Sequence, residues 1–365
     1  MKKSNLKQYF PVLRTKAEIL TEIGGDPRLD TIFKSWEKEQ QNEFLNFCTG
    51  VKGCKILYDA FFKKIMNPTE NPERLERFLS AVLKKKVKIV QVLPNESRMT
   101  AESSLLIMDI VVELEDGSIA NVEMQKIGYA FPGQRTSCYS ADLLLRQYQR
   151  VKTGLQAANK KFSYMQIKDV YTIVLFEKSP QELKDMPDHY IHRGRVTFDT
   201  DLKIHMPQEF IYIPLDNFRA ILQNKGIGNE FDAWLTFLCE DEPEIIEKLI
   251  QKYPYFRELY SEVYKLCENL EDIMGYYTEA LQEMDKNTTL YMIEEQQERI
   301  EELQDQIEKE IKQNEKQEST IKELQVGREK DQLEFKAELV RKDAELGQKD
   351  ARIAELEKQL AALGK

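Results

Sequence analysis

The clearest pattern of apolar and polar positions lies between residues 105 and 126. Apolar β-formers fill 105–112 apart from Asp109, and a polar turn at 115–118 contains an Asp-Gly pair. The apolar pattern resumes from Ile119. An Asp-Gly pair between two such segments is typical of a tight hairpin turn. We therefore predict two adjacent antiparallel strands.

The segments around this hairpin alternate between helical and strand patterns. Apolar residues recur at helical spacing on both sides of it, and β-branched runs lie between the predicted helices. A strand, a helix and a strand in this order favour parallel pairing within a layered α/β domain. The predicted helices span 55–66, 72–83, 134–154, 229–239, 243–252 and 256–284, and the further strands span 89–93, 169–177, 196–198 and 210–215.

A different pattern begins after Tyr291, where Glu, Lys, Gln and Leu dominate. Apolar residues there recur every seven positions, which predicts a coiled coil. Asn314 occupies one core position and favours a dimer in fixed register. A solitary charged helix is the alternative, but the seam persists too long for it. The first seam contains Ile293, Ile300, Ile307, Asn314 and Ile321, and the second contains Leu339, Leu346, Ile353 and Leu360.

These patterns divide the chain into three parts. Residues 1–54 are polar and weakly patterned, so we expect a variable lead-in with one helix at 30–47. Residues 55–290 carry the alternating elements and are predicted to form a globular domain, and residues 291–365 form the coiled coil. A chain of 365 residues, 41% of them hydrophobic, is long enough for a domain of about 200 to 250 residues and a further segment.

The formal net charge of −10 gives no sign of nucleic-acid binding, but the charge is unevenly distributed. Residues 291–365 contain 20 acidic and 14 basic side chains, so the whole-chain value does not exclude a local basic cleft elsewhere. Four lysines lie within 84–88. They fit a solvated helix end better, and a contact with the DNA backbone is the alternative.

The cysteines and the longest apolar segments indicate the cellular compartment of the protein. The five cysteines are scattered and never arranged as Cys-x-x-Cys, which argues against a disulfide framework and a zinc site. No window approaches 18 uninterrupted apolar residues, and the N-terminus lacks the apolar core of a signal peptide. We therefore expect a cytoplasmic protein that is neither secreted nor membrane-spanning.

Three polar residues on the predicted hairpin are candidates for a metal-binding or catalytic site. Side chains alternate along a strand, so Glu123 and Gln125 project together, roughly 6.6 Å apart. Asp109 lies about as far before the Asp-Gly turn as Glu123 lies after it. Two converging carboxylates need a cation, and hard oxygen ligands suit Mg²⁺ or Mn²⁺. The alternative is that Asp109 faces solvent and Glu123 belongs to an ordinary polar strand face.

The order of these residues resembles the PD-(D/E)XK nuclease superfamily, and most closely the Rpn family of recombination-promoting nucleases and transposases. Asp109 comes first, Glu123-Met124-Gln125 follows the turn, and a helix with Arg135 and Tyr139 comes next. No single motif is highly specific, but their order is. Further segments agree in the same order, namely Asp59-Ala60-Phe61-Phe62-Lys63, the helix 77–83, Gln147, Gly154 and the strand 170–175.

The resemblance implies a restriction-endonuclease-like mixed sheet flanked by helices. It also implies a metal-dependent DNA endonuclease, which hydrolyses phosphodiester bonds. In that activity Asp109 and Glu123 hold Mg²⁺ or Mn²⁺, and Gln125 helps to position the attacking water. DNA is then the partner, and a homodimer through the coiled coil supplies one active site for each strand.

Three further residues are candidates for this site. Arg135 and Tyr139 lie four residues apart near the start of one helix, so both share a face that suits a phosphate. For Tyr139 the alternative is core packing. Asp59 is a candidate additional acid, by its resemblance to the family's N-terminal Asp.

Two positions depart from the superfamily pattern. Met108 stands where the superfamily has its proline, and Gln125 stands where most members have lysine. A glutamine can orient a water molecule but cannot supply the positive charge of a lysine. The Glu-x-Gln form is nevertheless common in the branch that this sequence resembles. The alternative interpretation is a catalytically silent, nuclease-derived scaffold that acts through its coiled coil, in which the missing proline and lysine are signs of lost activity.

Overall fold

The predicted hairpin is present at the centre of a mixed sheet. The computed structural model describes residues 5–57, 59–94, 96–97, 106–126, 132–200 and 202–363. Its strands are β1 (Ile89–Leu93), β2 (Glu96–Ser97), β3 (Leu106–Ile107), β4 (Ile110–Leu114), β5 (Ile119–Gln125), β6 (Val170–Phe176), β7 (His192–Arg195) and β8 (Gln208–Pro214). β4 and β5 form the hairpin. Gly117 lies in their turn at a φ of 81°, a left-handed conformation that glycine adopts without strain.

Six of these strands form the main sheet, in the order β1-β4-β5-β6-β8-β7. β6 is parallel to both of its neighbours, β5 and β8, whereas the other neighbouring strands are antiparallel. Parallel pairing of β5 with β6 needs a long crossover, which a helix between them provides. β2 and β3 form a separate two-stranded sheet. The mixed sheet with flanking helices confirms the predicted α/β fold.

Helices cover both faces of this sheet. The described helices are α1 (Lys16–Gly25), α2 (Pro27–Ser35), α3 (Lys38–Cys48), α4 (Asp59–Ile65), α5 (Pro72–Leu83), α6 (Pro132–Ala157), α7 (Gln181–Lys184), α8 (Leu215–Lys225), α9 (Glu230–Cys239), α10 (Pro243–Lys252), α11 (Tyr255–Lys265) and α12 (Leu270–Leu363). On one face, Val122 and Ile173 join the main apolar core with side chains of α5 and α9. On the other face, Ser140 of α6 accepts a hydrogen bond of 2.8 Å from Gln208. The hairpin is therefore enclosed between two helical layers.

The far edge of the sheet differs from the prediction. Residues 196–198 do not form a strand, because Val196 and Phe198 are exposed and face no core. The edge strand is instead β7, which pairs antiparallel with β8. β8 in turn is parallel to β6, so at this edge of the sheet only the β7–β8 pairing is antiparallel.

The first 54 residues contribute more structure than their weak pattern indicated. They contain α1, α2 and α3, whose apolar side chains join the main core. Trp36 and Phe44 pack on Tyr277, with ring centroids 5.0 and 5.5 Å apart. Because each helix has only a few turns, the segment shows no long periodic pattern. It belongs to the same compact unit as the sheet, Met1–Glu294.

The second compact unit is Glu295–Lys365. Its described residues are helical and belong to α12, as predicted. The seam residues Ile300, Ile307 and Ile321 are 48%, 55% and 53% exposed. The helix is confirmed, and its pairing with a second helix stays a prediction. Across the described part of the chain, no helix combines the length and the apolar character needed to cross a membrane.

Candidate active site

Asp109 and Glu123 lie across from each other at the open end of the hairpin. The pairing of Ile110 with Val122 brings the preceding residue, Asp109, opposite Glu123. Asp109 was predicted to lie on the first strand, and this detail is wrong. It lies in the bend between β3 and β4, because β3 pairs with β2 instead of continuing the hairpin.

Backbone hydrogen bonds interlock the two carboxylates. The backbone N–H of Asp109 donates to Glu123 Oε2 at 3.2 Å, and the backbone N–H of Met124 donates to Asp109 Oδ2 at 2.7 Å. Each carboxylate is thus held by the strand that carries the other one. The structure brings the two predicted carboxylates together and fixes their orientation.

The electrostatic environment of this pair opposes two negative charges. Glu123 is 7% exposed, and its burial and the adjacent charge of Asp109 raise its pKa well above the usual range. A backbone hydrogen bond from Asp109 and the charge of Arg135 lower that pKa to a smaller extent. A buried carboxyl of this kind either keeps a proton or needs a cation to ionise.

Gln125 shares the strand face of Glu123, as the alternation along β5 predicts. Its side chain is only 2% exposed. Among the residues that the structure describes, neither its amide nitrogen nor its amide oxygen has a hydrogen-bond partner. Buried amides are nearly always hydrogen-bonded, so an unpartnered one beside two carboxylates suits a bound water or phosphate.

Arg135 and Tyr139 reach the same site from the first turns of α6. Arg135 Nε donates to the Tyr139 hydroxyl at 3.1 Å, and the guanidinium lies 5.9 Å from the ring centroid. Burial and the charge of Glu123 raise the pKa of Tyr139 to about 12, so its hydroxyl keeps its proton. The Tyr139 ring also packs beside Leu143 in a small apolar cluster. Tyr139 therefore serves the core while its hydroxyl faces the site.

Lys63 also reaches Asp109, although the sequence did not indicate it as a site residue. Its Nζ atom lies 3.4 Å from Asp109 Oδ1. Lys63 belongs to the Phe-Lys block that resembles the family's N-terminal motif, and this was the only signal in the sequence. The side chain of Asp59, the candidate additional acid at the start of the same helix, lies outside the described part of the structure.

The lysine run at 84–88 lies at the other end of the hairpin. Lys85 forms an ion pair of 2.6 Å with Asp116 in the turn and a hydrogen bond of 3.0 Å with the Tyr171 hydroxyl. Lys88 pairs with Glu76 at 3.2 Å. Glu123 lies toward the end of β5 that is farther from this turn. The lysine run therefore does not contribute charge to the pair of Asp109 and Glu123. The contacts favour the interpretation as a helix end.

The donor set fits Mg²⁺ or Mn²⁺. Within the described residues, no group of three or more His, Cys, Asp or Glu side chains has the arrangement of a metal cage. Mg²⁺ is commonly held by one or two carboxylates, with waters and substrate phosphates as its other ligands. The raised pKa of Glu123 and the unpartnered Gln125 amide are consistent with such a site.

Comparisons with known proteins point to the same superfamily. Residues 56–293 match the family model described as PD-(D/E)XK nuclease family transposase. This range contains the hairpin, α4 and α6, and it covers well over half of the chain. No curated protein and no solved structure matches.

Proposed function

Since this chain belongs to the PD-(D/E)XK nuclease family of transposases, we propose that it is a metal-dependent DNA endonuclease of the recombination-promoting type. The observation that carries the proposal is the interlocked pair of Asp109 and Glu123. A purely structural hairpin has no need of a buried Glu123 directly beside a second carboxylate at its open end, because this arrangement is unfavourable without a cation.

The cofactor that suits this pair is a divalent cation, Mg²⁺ or Mn²⁺. Asp109 and Glu123 would hold it, since both carboxylates are fixed by backbone hydrogen bonds before any cation arrives. When bound, the cation acts as a Lewis acid toward a phosphate and lowers the pKa of a water molecule. The two carboxylates then ionise together because the positive charge offsets their repulsion.

The neighbouring residues provide orientation for hydrolysis. A water oxygen forms a bond to phosphorus and gives up a proton to the solvent, the bond to one ester oxygen breaks, and that ester oxygen takes up a proton from the solvent. The carbonyl of the Gln125 amide can accept a hydrogen bond from the attacking water, and its NH₂ group can donate to the phosphate. The Arg135 guanidinium, aligned by the Tyr139 hydroxyl, can donate to phosphate oxygens.

A plasmid-nicking assay tests this function. We expect purified protein to convert supercoiled plasmid into nicked and linear forms with Mg²⁺ or Mn²⁺, and to leave it intact with EDTA. A folded protein that yields no product with either cation would contradict the proposal. It would support the alternative of a silent scaffold that acts through its coiled coil.

We also propose that the second unit assembles the enzyme as a homodimer. Its seam leaves apolar side chains such as Ile307 and Ile321 more than half exposed, and a second copy of the helix would cover them. Asn314 favours a parallel pair, since a buried Asn is least costly opposite its own copy. A two-fold dimer gives two active sites, one for each DNA strand.

The cytoplasm is the proposed location. The five cysteines are all free thiols, and four of them are buried. Free thiols of this kind suit a reducing compartment.

A further inference from the structure

The carboxylate pair has a lysine neighbour that comes from a distant part of the sequence. Lys63 Nζ lies 3.4 Å from Asp109 Oδ1, whereas Asp109 Oδ2 is bound by the backbone N–H of Met124. The lysine therefore approaches the other carboxylate oxygen from the one that Met124 contacts. Its side chain is 42% exposed, so a substrate phosphate can reach it.

The rigid setting of α4 holds Lys63 at this position. Phe61 and Phe62 on the same helix are fully buried in the main core, which anchors the helix against the sheet. The charge of Arg135, which lies on α6 at the opposite sheet face, lowers the pKa of Glu123. The pair is thus flanked by one cation from each helical layer, although the strand itself offers only the neutral Gln125 at the position beside Glu123.

We propose that Lys63 is a catalytic residue whose ammonium contacts the scissile phosphate and supplies the positive charge that Gln125 cannot. This inference rests on the proposed nuclease function. Charge that develops on the phosphate oxygens during hydrolysis is stabilised by a nearby ammonium at a fixed distance. No proton transfer is assigned to Lys63, since its role is electrostatic and Gln125 orients the water.

Two other lysines serve as comparisons. Lys64 is next to Lys63 on α4, but its Nζ atom lies 2.9 and 3.0 Å from the two carboxylate oxygens of Glu70. Lys126 directly follows Gln125, just past the end of β5, and is 7% exposed. Lys64 is the matched control, and Lys126 is the competing source of an ammonium.

The experiment measures single-turnover plasmid nicking in Mg²⁺ for the full chain. We expect Lys63→Met to lower the rate constant by about 100-fold, the usual effect of removing one electrostatic contact to the transition state. Lys63→Arg should retain more activity because it keeps the charge. Lys64→Met should nick at the wild-type rate. Adding Gln125→Lys to the Lys63→Met variant should raise its nicking rate at least tenfold, since the new lysine returns an ammonium to the same site.

Thermal unfolding with and without Mn²⁺ separates catalysis from metal binding. Lys63→Met should keep or increase the Mn²⁺-induced rise in Tm, because it removes a cation that competes for Asp109. The inference would be overturned if the Lys63→Met variant nicked plasmid at the wild-type rate. It would also be overturned if Lys126→Met, and not Lys63→Met, lowered the nicking rate. A Lys63→Met variant that loses the Mn²⁺ response and is not restored by Gln125→Lys would show a structural role. If the wild type does not nick, the proposed function itself fails.

Discussion

Removing the charge of Glu123 should abolish the stabilisation of the folded protein by divalent cations. In the absence of metal, Glu123→Gln replaces a buried carboxyl beside Asp109 with a neutral side chain of similar size. We expect this variant to unfold at a higher temperature than the wild type at neutral pH. With Mn²⁺ present the order should change, because only the wild type has both carboxylates to bind the cation.

The expected size of the metal effect follows from linkage and from the size of the unit. A ligand at 100 times its Kd stabilises the folded state by about 2.7 kcal/mol. For the unit Met1–Glu294, an unfolding entropy of about 2.1 cal/mol/K per residue amounts to about 0.6 kcal/mol/K. Mn²⁺ should therefore raise the wild-type Tm by about 4 to 5 °C.

Circular dichroism melts with Mn²⁺ and with EDTA provide the assay. Glu115→Gln is the control, because Glu115 is an exposed carboxylate in the turn of the same hairpin. This control should keep the wild-type rise in Tm, and Glu123→Gln should lose it. An equal rise in Glu123→Gln and the wild type would refute the assignment of Glu123 as a ligand.

Three further predictions concern pH, Gln125 and assembly. Because the folded pKa of Glu123 is raised, its favourable contribution is present below the unfolded pKa and is lost as pH rises through the folded pKa. Urea titrations in EDTA should thus show wild-type stability falling across that window more than Glu123→Gln stability does, and parallel pH profiles would contradict this. Gln125→Lys should stay folded and keep at least partial nicking, and a grossly unfolded variant by circular dichroism would count against the position of Gln125. Removing residues 291–365 should convert a dimer into a monomer, as measured by sedimentation equilibrium. Nicking of one strand should be retained, whereas cutting of both strands should be reduced. A truncated protein that stays dimeric would place the interface in the sheet-containing unit.

The sequence predicted the hairpin and its carboxylates because the relevant signals are local. The Asp-Gly turn sets the register of β4 and β5, and that register alone brings Asp109 opposite Glu123. The short alternation of β5 likewise puts Gln125 on the face of Glu123. In the same way, the four-residue spacing of Arg135 and Tyr139 predicted that they share one face of α6.

The remaining features depend on contacts between distant segments, which a pattern does not encode. Lys63 approaches Asp109 only because α4 packs on the core beside the sheet. Residues 1–54 carry scattered aromatic residues such as Trp36, whose partner Tyr277 lies near the other end of the unit. The strand predicted at 196–198 is wrong for the same reason. The segment that pairs with β8 is His192–Arg195, and this pairing depends on a contact that the local pattern does not encode.

The most direct test of the central claim is plasmid nicking by Asp109 variants. Asp109→Asn keeps an oxygen that can accept the hydrogen bond of Met124, while it removes the charge that would hold the cation. We expect Asp109→Asn and Asp109→Ala to remain folded by circular dichroism and to lose Mg²⁺-dependent nicking, as Glu123→Gln should. Wild-type nicking by either Asp109 variant in Mg²⁺ would contradict the account of a metal-dependent nuclease at this hairpin.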